Sequence, residues 1–334
     1  MLSPRIIRGW LDLSAKITIL LLFTNESGVI EIDEWEKKMS EFKDKVVVVT
    51  GAGGGLGRSH ALEFAKRGAK VVVNDLGGSA DGVGASDMAD QVVQEIRDQG
   101  GIAIANKASV SDRAGAKSII DDAIAEFGTI DILVNNAGIL RDKTFKKMDL
   151  DDWDIVISVH LNGTAYVTHA AWPIMYEKNY GRVVLTSSTS GIFGNFGQAN
   201  YGAAKMGMVG MMNVLALEGA SKNVRVNTLA PAAATRLTNT IPGRDEDLSS
   251  PDPARAPDLV TPAVLYMCAE DAPNGKIIQA GNGRFSAAAV FSNDGVNQGA
   301  SASYETFMDD EEIIMDLSTA EEGWAFRRKQ KKSS

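Results

Sequence analysis

Four consecutive valines, Val46-Val47-Val48-Val49, run directly into the glycine-rich turn Thr50-Gly51-Ala52-Gly53-Gly54-Gly55-Leu56-Gly57. A β-branched run without polar alternation reads as a strand covered on both faces, which is how strands of parallel sheets are built. The helical stretch Ala61-Leu62-Glu63-Phe64-Ala65-Lys66 follows the turn, and a second buried strand, Lys70-Val71-Val72-Val73-Asn74-Asp75, follows the helix. The alternation continues. Helical patterns cover residues 87–99, 112–127 (stopped by Gly128), 150–178 and 199–220, and strand patterns cover 102–105, 130–135, 181–186 and 224–229. Strands alternating with helices pair in parallel through right-handed crossovers. The expected architecture is therefore a doubly wound α/β sheet with helices on both faces, and ligands of such sheets lie at the carboxyl ends of the strands.

The glycine turn sits where that rule puts a ligand. Glycine lacks a Cβ, so the backbone turns tightly and lets a diphosphate approach, while the following helix offers unpaired N–H groups and a positive dipole end. Gly51, Gly55, Leu56 and Gly57 are thus candidate phosphate-loop residues of a dinucleotide site. Asp75, 24 residues after Gly51 at the end of the second strand, is placed to accept hydrogen bonds from ribose hydroxyls and to repel a 2′-phosphate. Neither Gly54 nor Leu76 is basic, which favours NAD over NADP. Arg58 is the one local cation that weighs the other way.

Composition narrows the function classes. Of 334 residues 44% are hydrophobic, enough for a sizeable core, and the formal charge of −9 argues against a nucleic-acid binder. The single cysteine, Cys268, forms no intrachain disulfide, and His60, His160 and His169 show no metal-ligand spacing. Near the start, Arg5, Arg8 and Lys16 precede the seven-residue apolar run 17–23, too short to span a bilayer and followed by no small-residue cleavage site. Residues 1–38 are expected to be a poorly packed leader, residues 39–285 the nucleotide-binding domain, and residues 286–334 an extension ending in an acidic run (309–312) and a basic one (327–332). Such runs are usually solvated. The final Lys332-Ser333-Ser334 is not a Ser-Lys-Leu address, and the expected location is cytoplasmic.

Tyr201 and Lys205 are four residues apart and share one helix face, Ser188 lies thirteen residues before Tyr201 at a strand end, and Asn135-Asn136-Ala137-Gly138 closes another strand. All would converge on the rim that carries the glycine turn. Oxidising an alcohol requires a base for the hydroxyl proton, and a free tyrosine, with a pKa near 10, is a poor base at neutral pH. A neighbouring lysine cation and a positively charged nicotinamide would favour phenolate. Tyr201 is the candidate acid/base, Ser188 the group that holds the substrate oxygen, and Lys205 the group that tunes Tyr201 and binds ribose.

Together, the glycine turn, Asn135-Asn136-Ala137-Gly138, Ser188 and Tyr201…Lys205 resemble the short-chain dehydrogenase/reductase family over residues 42–285. The resemblance implies a Rossmann fold with about seven strands, hydride transfer with NAD(P), and a homodimer or homotetramer with helices 150–178 and 199–220 at the interface. Methionines 206, 208, 211 and 212 of the second helix read more readily as core than as interface. More narrowly, Asn74-Asp75-Leu76-Gly77-Gly78, Gly138-Ile139-Leu140-Arg141-Asp142, Asp151-Asp152-Trp153-Asp154, Val159-His160-Leu161 and the run 191–201 resemble the (3R)-hydroxyacyl-CoA dehydrogenase domains of type 2 peroxisomal multifunctional enzymes. That resemblance implies a small-molecule acyl-CoA substrate.

The chain departs from the family pattern in places. His160 stands where many members carry a catalytic asparagine, and is either part of an altered relay or a packed helix residue. Ser109-Val110 replaces the aspartate that contacts adenine, leaving a hydroxyl or the backbone for that task. Asn135 and Thr235 remain candidate cofactor contacts. Residues 236–258 could form a lid, and Leu140, Ile192, Phe193 and Phe196 could wall a pocket or be ordinary core. The competing functions are a dehydrogenase of hydroxysteroids or other cyclic alcohols, and a non-catalytic NAD-binding regulator or scaffold.

Overall fold

A computed structural model describes residues 40–78, 86–233 and 252–323. The leader 1–38, the basic run 327–332, Thr235 and most of the segment 236–258 lie outside the described residues. One sheet organises the rest. Its strands are β1 (Val46–Thr50), β2 (Lys70–Asn74), β3 (Ile102–Asn106), β4 (Ile132–Asn135), β5 (Gly181–Thr186), β6 (Val224–Ala232), β7 (Ile277–Gly281) and β8 (Arg284–Ala288). They lie in the order β3-β2-β1-β4-β5-β6-β7-β8. The pairs from β3 through β7 are parallel, and β8 returns antiparallel to β7.

The valine run shows why this sheet forms. Side chains alternate across a strand, so Val47 and Val49 enter one core with Val71, Val73, Ile132 and Val134. Val46 and Val48 enter the opposite core with Val72, Leu133, Val183 and Val226. Helices α1 (Gly55–Lys66), α2 (Met88–Asp98) and α8 (Thr261–Cys268) cover the first face. Helices α3 (Arg113–Phe127), α5 (Gly163–Lys178) and α7 (Ala199–Gly219) cover the second. Burial on both faces is the reason the strand carries no polar alternation. Met208 and Met212 are core residues at 1% exposure, Met211 is partly buried, and Met206 is exposed.

The long helix expected over 150–178 is divided. α4 (Leu150–Ile157) widens into a π turn over Ser158–Asn162 before α5 continues. The extra residue of a π turn rotates one side chain out of the regular helical pattern. Here it accompanies the inward placement of His160, which is 1% exposed.

The sheet has one strand more than the seven expected. Asn282 and Gly283, both with positive φ (52° and 70°), connect β7 to β8 as a two-residue hairpin, the conformation an Asn-Gly pair favours. β8 runs across residue 285. Beyond it, β9 (Phe291–Ser292) pairs with β10 (Glu321–Glu322). Between them lie α9 (Tyr304–Asp309) and α10 (Glu311–Met315), which carry the acidic run with Asp309, Glu311 and Glu312 exposed. α6 (Thr189–Phe193) is a single short helix after β5. Among the described residues no helix is long and apolar enough to cross a membrane.

Candidate active site

The strand order reverses between β1 and β4, and there the chain leaves two adjacent strands in opposite directions. Such a seam opens a crevice at the carboxyl ends. Thr50 and Asn136 hold its lip. The backbone N–H groups of Asn136 and Ala137 donate to Thr50 Oγ1 at 3.0 and 3.1 Å. Asn136 Nδ2 donates to the carbonyls of Thr50 (3.1 Å) and Gly51 (3.0 Å). The glycine turn is packed beneath: Gly51 has φ +63°, and a Cβ at Gly57 would lie 2.2 Å from Gly51 O. Gly55 opens α1, with Leu56 packed on the core. Asp75 closes the turn from the β2 side, accepting from Gly53 N–H at 2.8 Å and Gly77 N–H at 2.7 Å. Arg58 is engaged elsewhere, its guanidinium paired with Glu95 through Nη2 at 2.5 and 2.6 Å and Nε at 3.0 Å.

The other site residues arrive from β5 and α7. Ser188 caps α6, its hydroxyl accepting from Ser190 N–H at 3.1 Å and hydrogen-bonded with the Tyr201 phenol. Tyr201 is set by its predecessor. Asn200, fully buried, accepts the Tyr201 N–H at 2.7 Å and donates through Nδ2 to Arg141 O (3.1 Å) and Asp152 O (3.2 Å). Lys205, 3% exposed, donates to Thr186 O at 2.5 Å, with its ammonium nitrogen 5.4 Å from the centre of the Tyr201 ring. His160 packs edge-on against Tyr201, ring centres 5.1 Å apart. The structure thus brings Ser188, Tyr201 and Lys205 together, on the rim that carries the glycine turn.

Electrostatics differ from the sequence expectation. Burial pushes the Tyr201 phenol up to about 12, against the downward pull of the Ser188 hydrogen bond and with a further upward push from Asp142. Burial also pulls Lys205 down to about 7. The lysine therefore does not lower the tyrosine in the free chain. Both charged forms lose hydration: at neutral pH the phenol is neutral, and Lys205, at about 7, is divided between amine and ammonium. His160 is held well below its usual 6.5 by burial and then by the nearby Lys205, so its ring is neutral. Its Nε2 stands 2.7 Å from Ile139 O and 3.0 Å from Ile139 N, enough for one hydrogen bond.

Buried polar atoms are normally paired. Five among the described residues are not, and four of them cluster here: Asn135 Oδ1, Asp142 Oδ1, His160 Nδ1 and Thr186 Oγ1. The unpaired polar atoms fit a ligand with hydroxyl or amide donors, and the loop too tight for a Cβ fits close approach of a diphosphate, which together fit a dinucleotide. Asn135 itself donates from Nδ2 to Thr168 Oγ1 at 3.0 Å. Ser109 turns its hydroxyl to Ser111 Oγ (2.9 Å), and Val110 sends its side chain into the core against Gly163. Val110 thus offers a nucleotide its backbone only. Leu140 is buried, whereas Phe193 and Phe196 are exposed.

Sequence reasoning missed the parts that hold the site. Asp142 receives the Gln198 amide at 2.6 Å, and burial raises its carboxyl from the usual value. Gln198 is in turn held by Asn195 Nδ2 at 2.9 Å. No spacing rule connects Asp142 with Gln198, and only the fold makes them neighbours.

The buried lysine predicts a pH effect on stability. A folded pKa of about 7 against the ordinary lysine value of 10.5 means that the unfolded chain binds more protons between those values. The penalty is full below about pH 7 and is relieved as pH rises towards 10.5. Lys205→Met should therefore raise the Tm of the cofactor-free protein most at pH 6–7, with the gain shrinking towards pH 10. Parallel thermal melts of the two proteins check this; a gain independent of pH would show that Lys205 is charged in the folded chain.

With this geometry established, comparison with known proteins is direct. Residues 45–245 match the short chain dehydrogenase family model. The chain is 54% identical over 263 residues to the short-chain type dehydrogenase/reductase Rv0148 of Mycobacterium tuberculosis, covering 78% of this chain and 90% of that one. It is 52% identical over 244 residues to the mouse peroxisomal multifunctional enzyme type 2, covering 72% of this chain but 32% of that enzyme. The full-length Drosophila melanogaster enzyme of that name superposes with a TM-score of 0.69 at 37% identity, over 87% of this chain and 49% of the other. A short chain dehydrogenase from Mycobacterium avium superposes with a TM-score of 0.72 at 36% identity, over 82% and 96%. The chain spans from about a third to just over a half of these multifunctional enzymes, and nearly all of the mycobacterial relatives. It belongs to the short-chain dehydrogenase/reductase family, an oxidoreductase acting on CH–OH groups.

Proposed function

We propose that this protein oxidises (3R)-hydroxyacyl-CoA to 3-oxoacyl-CoA with NAD. The observation that carries the reading is the convergence of Ser188, Tyr201 and Lys205 beside the Gly51–Gly57 turn. Support for the acyl-CoA substrate comes from the identity of more than half over 72% of the chain with enzymes named as peroxisomal multifunctional enzymes. The family uses NAD(P). NAD is favoured because Asp75 lines the turn and the one nearby cation, Arg58, is already paired with Glu95.

In this proposal NAD supplies the hydride acceptor, and the chain supplies binding and proton handling. Gly51, Gly55, Leu56 and Gly57 offer backbone to the diphosphate, Asp75 the ribose contact, and Asn135 and Lys205 further polar contacts. Ser188 holds the substrate oxygen. Tyr201 takes the hydroxyl proton as the neighbouring carbon loses hydride, or returns it in reduction. In the free chain its phenol titrates near 12, too high for an efficient base. The positive charge of an oxidised nicotinamide beside it would favour both phenolate and a neutral amine at Lys205. Base formation is then coupled to cofactor binding.

We further propose a homodimer or homotetramer, supported by apolar side chains left exposed on the two helices expected at an interface: Ile155 and Tyr176 on α4 and α5, Met206, Val214 and Leu217 on α7. Light scattering at micromolar concentration should give a multiple of the 35.6 kDa chain mass; a monomer would overturn this. The proposed location is the cytoplasm, which cell fractionation checks.

The decisive measurement is NADH formation with (3R)- and (3S)-hydroxyacyl-CoA and a hydroxysteroid in parallel, with NADP as control. Turnover of the 3R thioester with NAD is expected, and turnover of the steroid alone would transfer the assignment. Tyr201→Phe should keep NAD binding and lose about 10²–10⁴-fold in kcat. Full activity in that variant would discard the proton role.

A further inference from the structure

A second concavity adjoins the candidate site. It is a cleft of about 340 Å³ floored by the small residues of β6 and β7, with Ala232 among them, and edged by Thr189, Gln279, Asn282, Arg284 and Ser286. The volume lies at the low end of the range for small-molecule sites. Thr189, in its wall, directly follows Ser188 in the chain, so the cleft has one wall next to the residue proposed to hold the substrate oxygen.

The chemistry of its rim is specific. Among the described residues no side-chain hydrogen bond or ion pair engages Thr189, Gln279, Asn282, Arg284 or Ser286. Among the described residues Arg284, itself exposed, is thus a cation without a counter-ion. The hairpin holds it in place: the turn Asn282-Gly283 is two residues long, and Arg284 pairs with Gly281 across it. A guanidinium presents a planar fork of donors suited to phosphate. Among the described residues the floor offers alanine and glycine, with no large apolar side chain to hold a fatty chain. This is a site for a polar, anionic arm.

We propose that this cleft takes the phosphate-bearing pantetheine arm of the substrate thioester, with Arg284 contacting a phosphate and Thr189, Gln279, Asn282 and Ser286 meeting the amides of the arm. The proposal rests on the acyl-thioester reading above. The acyl end would then lie at Ser188 and Tyr201 and the carrier arm would cross β6–β8. The β8 hairpin would so act as a specificity element for thioesters carrying phosphate.

The test compares three thioesters of (3R)-hydroxybutyrate with NAD at low salt: coenzyme A, free phosphopantetheine, and N-acetylcysteamine, which has no phosphate. In Arg284→Gln the ratio of kcat/KM for the coenzyme A thioester to that for the N-acetylcysteamine thioester should fall about tenfold, mainly through KM, the scale of one charge-assisted hydrogen bond at an exposed site. Arg284→Lys should recover part of it, and the effect should shrink as salt rises. An equal fall with phosphopantetheine assigns the contact to the phosphate on the arm. A fall with coenzyme A alone assigns it to the nucleotide phosphates. No change in the ratio, with wild type active on the thioesters, overturns the role of Arg284 while leaving the acyl-thioester reading intact. Wild type inactive on all three overturns that reading, and this proposal with it.

Discussion

The stitch between Thr50 and Asn136 is the interaction on which the rest of the site depends. β1 and β4 are neighbours in the sheet but far apart in sequence, and their carboxyl ends diverge because the order of strands reverses there. Four hydrogen bonds across that seam keep the glycine turn and the Asn135-Asn136 end in fixed register. Everything proposed to touch a dinucleotide is placed relative to that lip. Side chains elsewhere on the rim are rigid for the same reason: Ser187 Oγ ties β5 to α7 by donating to Lys205 O at 2.7 Å, and Asn200 ties α7 to the loop after β4.

Burial then decides the charge state. Lys205 is buried and Tyr201 half-buried, and the reduced hydration around them disfavours ammonium and phenolate alike. His160 beside them is kept neutral by the same effect. Of these three titratable groups only Lys205 carries part of a charge at neutral pH. A cationic cofactor ring would be the largest new charge there, and in the proposed function its arrival is the trigger for proton transfer. The unpaired acceptors around the crevice fit that picture, since an unpaired buried polar atom costs stability unless a ligand completes it.

Much of this was legible in the residues. The valine run, read as a strand covered on both faces, lies in two cores at once, and Gly128 ends α3 in a left-handed conformation. The three residues Ser188, Tyr201 and Lys205 were legible because helix spacing and strand ends are local facts. The hairpin that carries β8 left its Asn-Gly mark at 282–283, yet the mark alone does not say which strand it extends. The net shift of Tyr201 in the free chain is upward because burial outweighs its polar neighbours, and sequence reports which groups are near and not how much water remains around them. Asp142 with Gln198, and the packing of His160 through a π turn, left no periodic trace.

The amino-acid sequence by itself determined the alternation of strands and helices, the turn that only glycines can make, and the residue types able to move a proton and hold a diphosphate. These depend on backbone sterics and on spacing within single elements, which act over a few residues. The tertiary structure alone decided which strand ends meet at the seam, which buried groups lose their charge, and that an arginine from the eighth strand opens onto the cleft beside Ser188. Those are matters of solvent exclusion and of contacts between distant segments, and both exist only once the chain has folded.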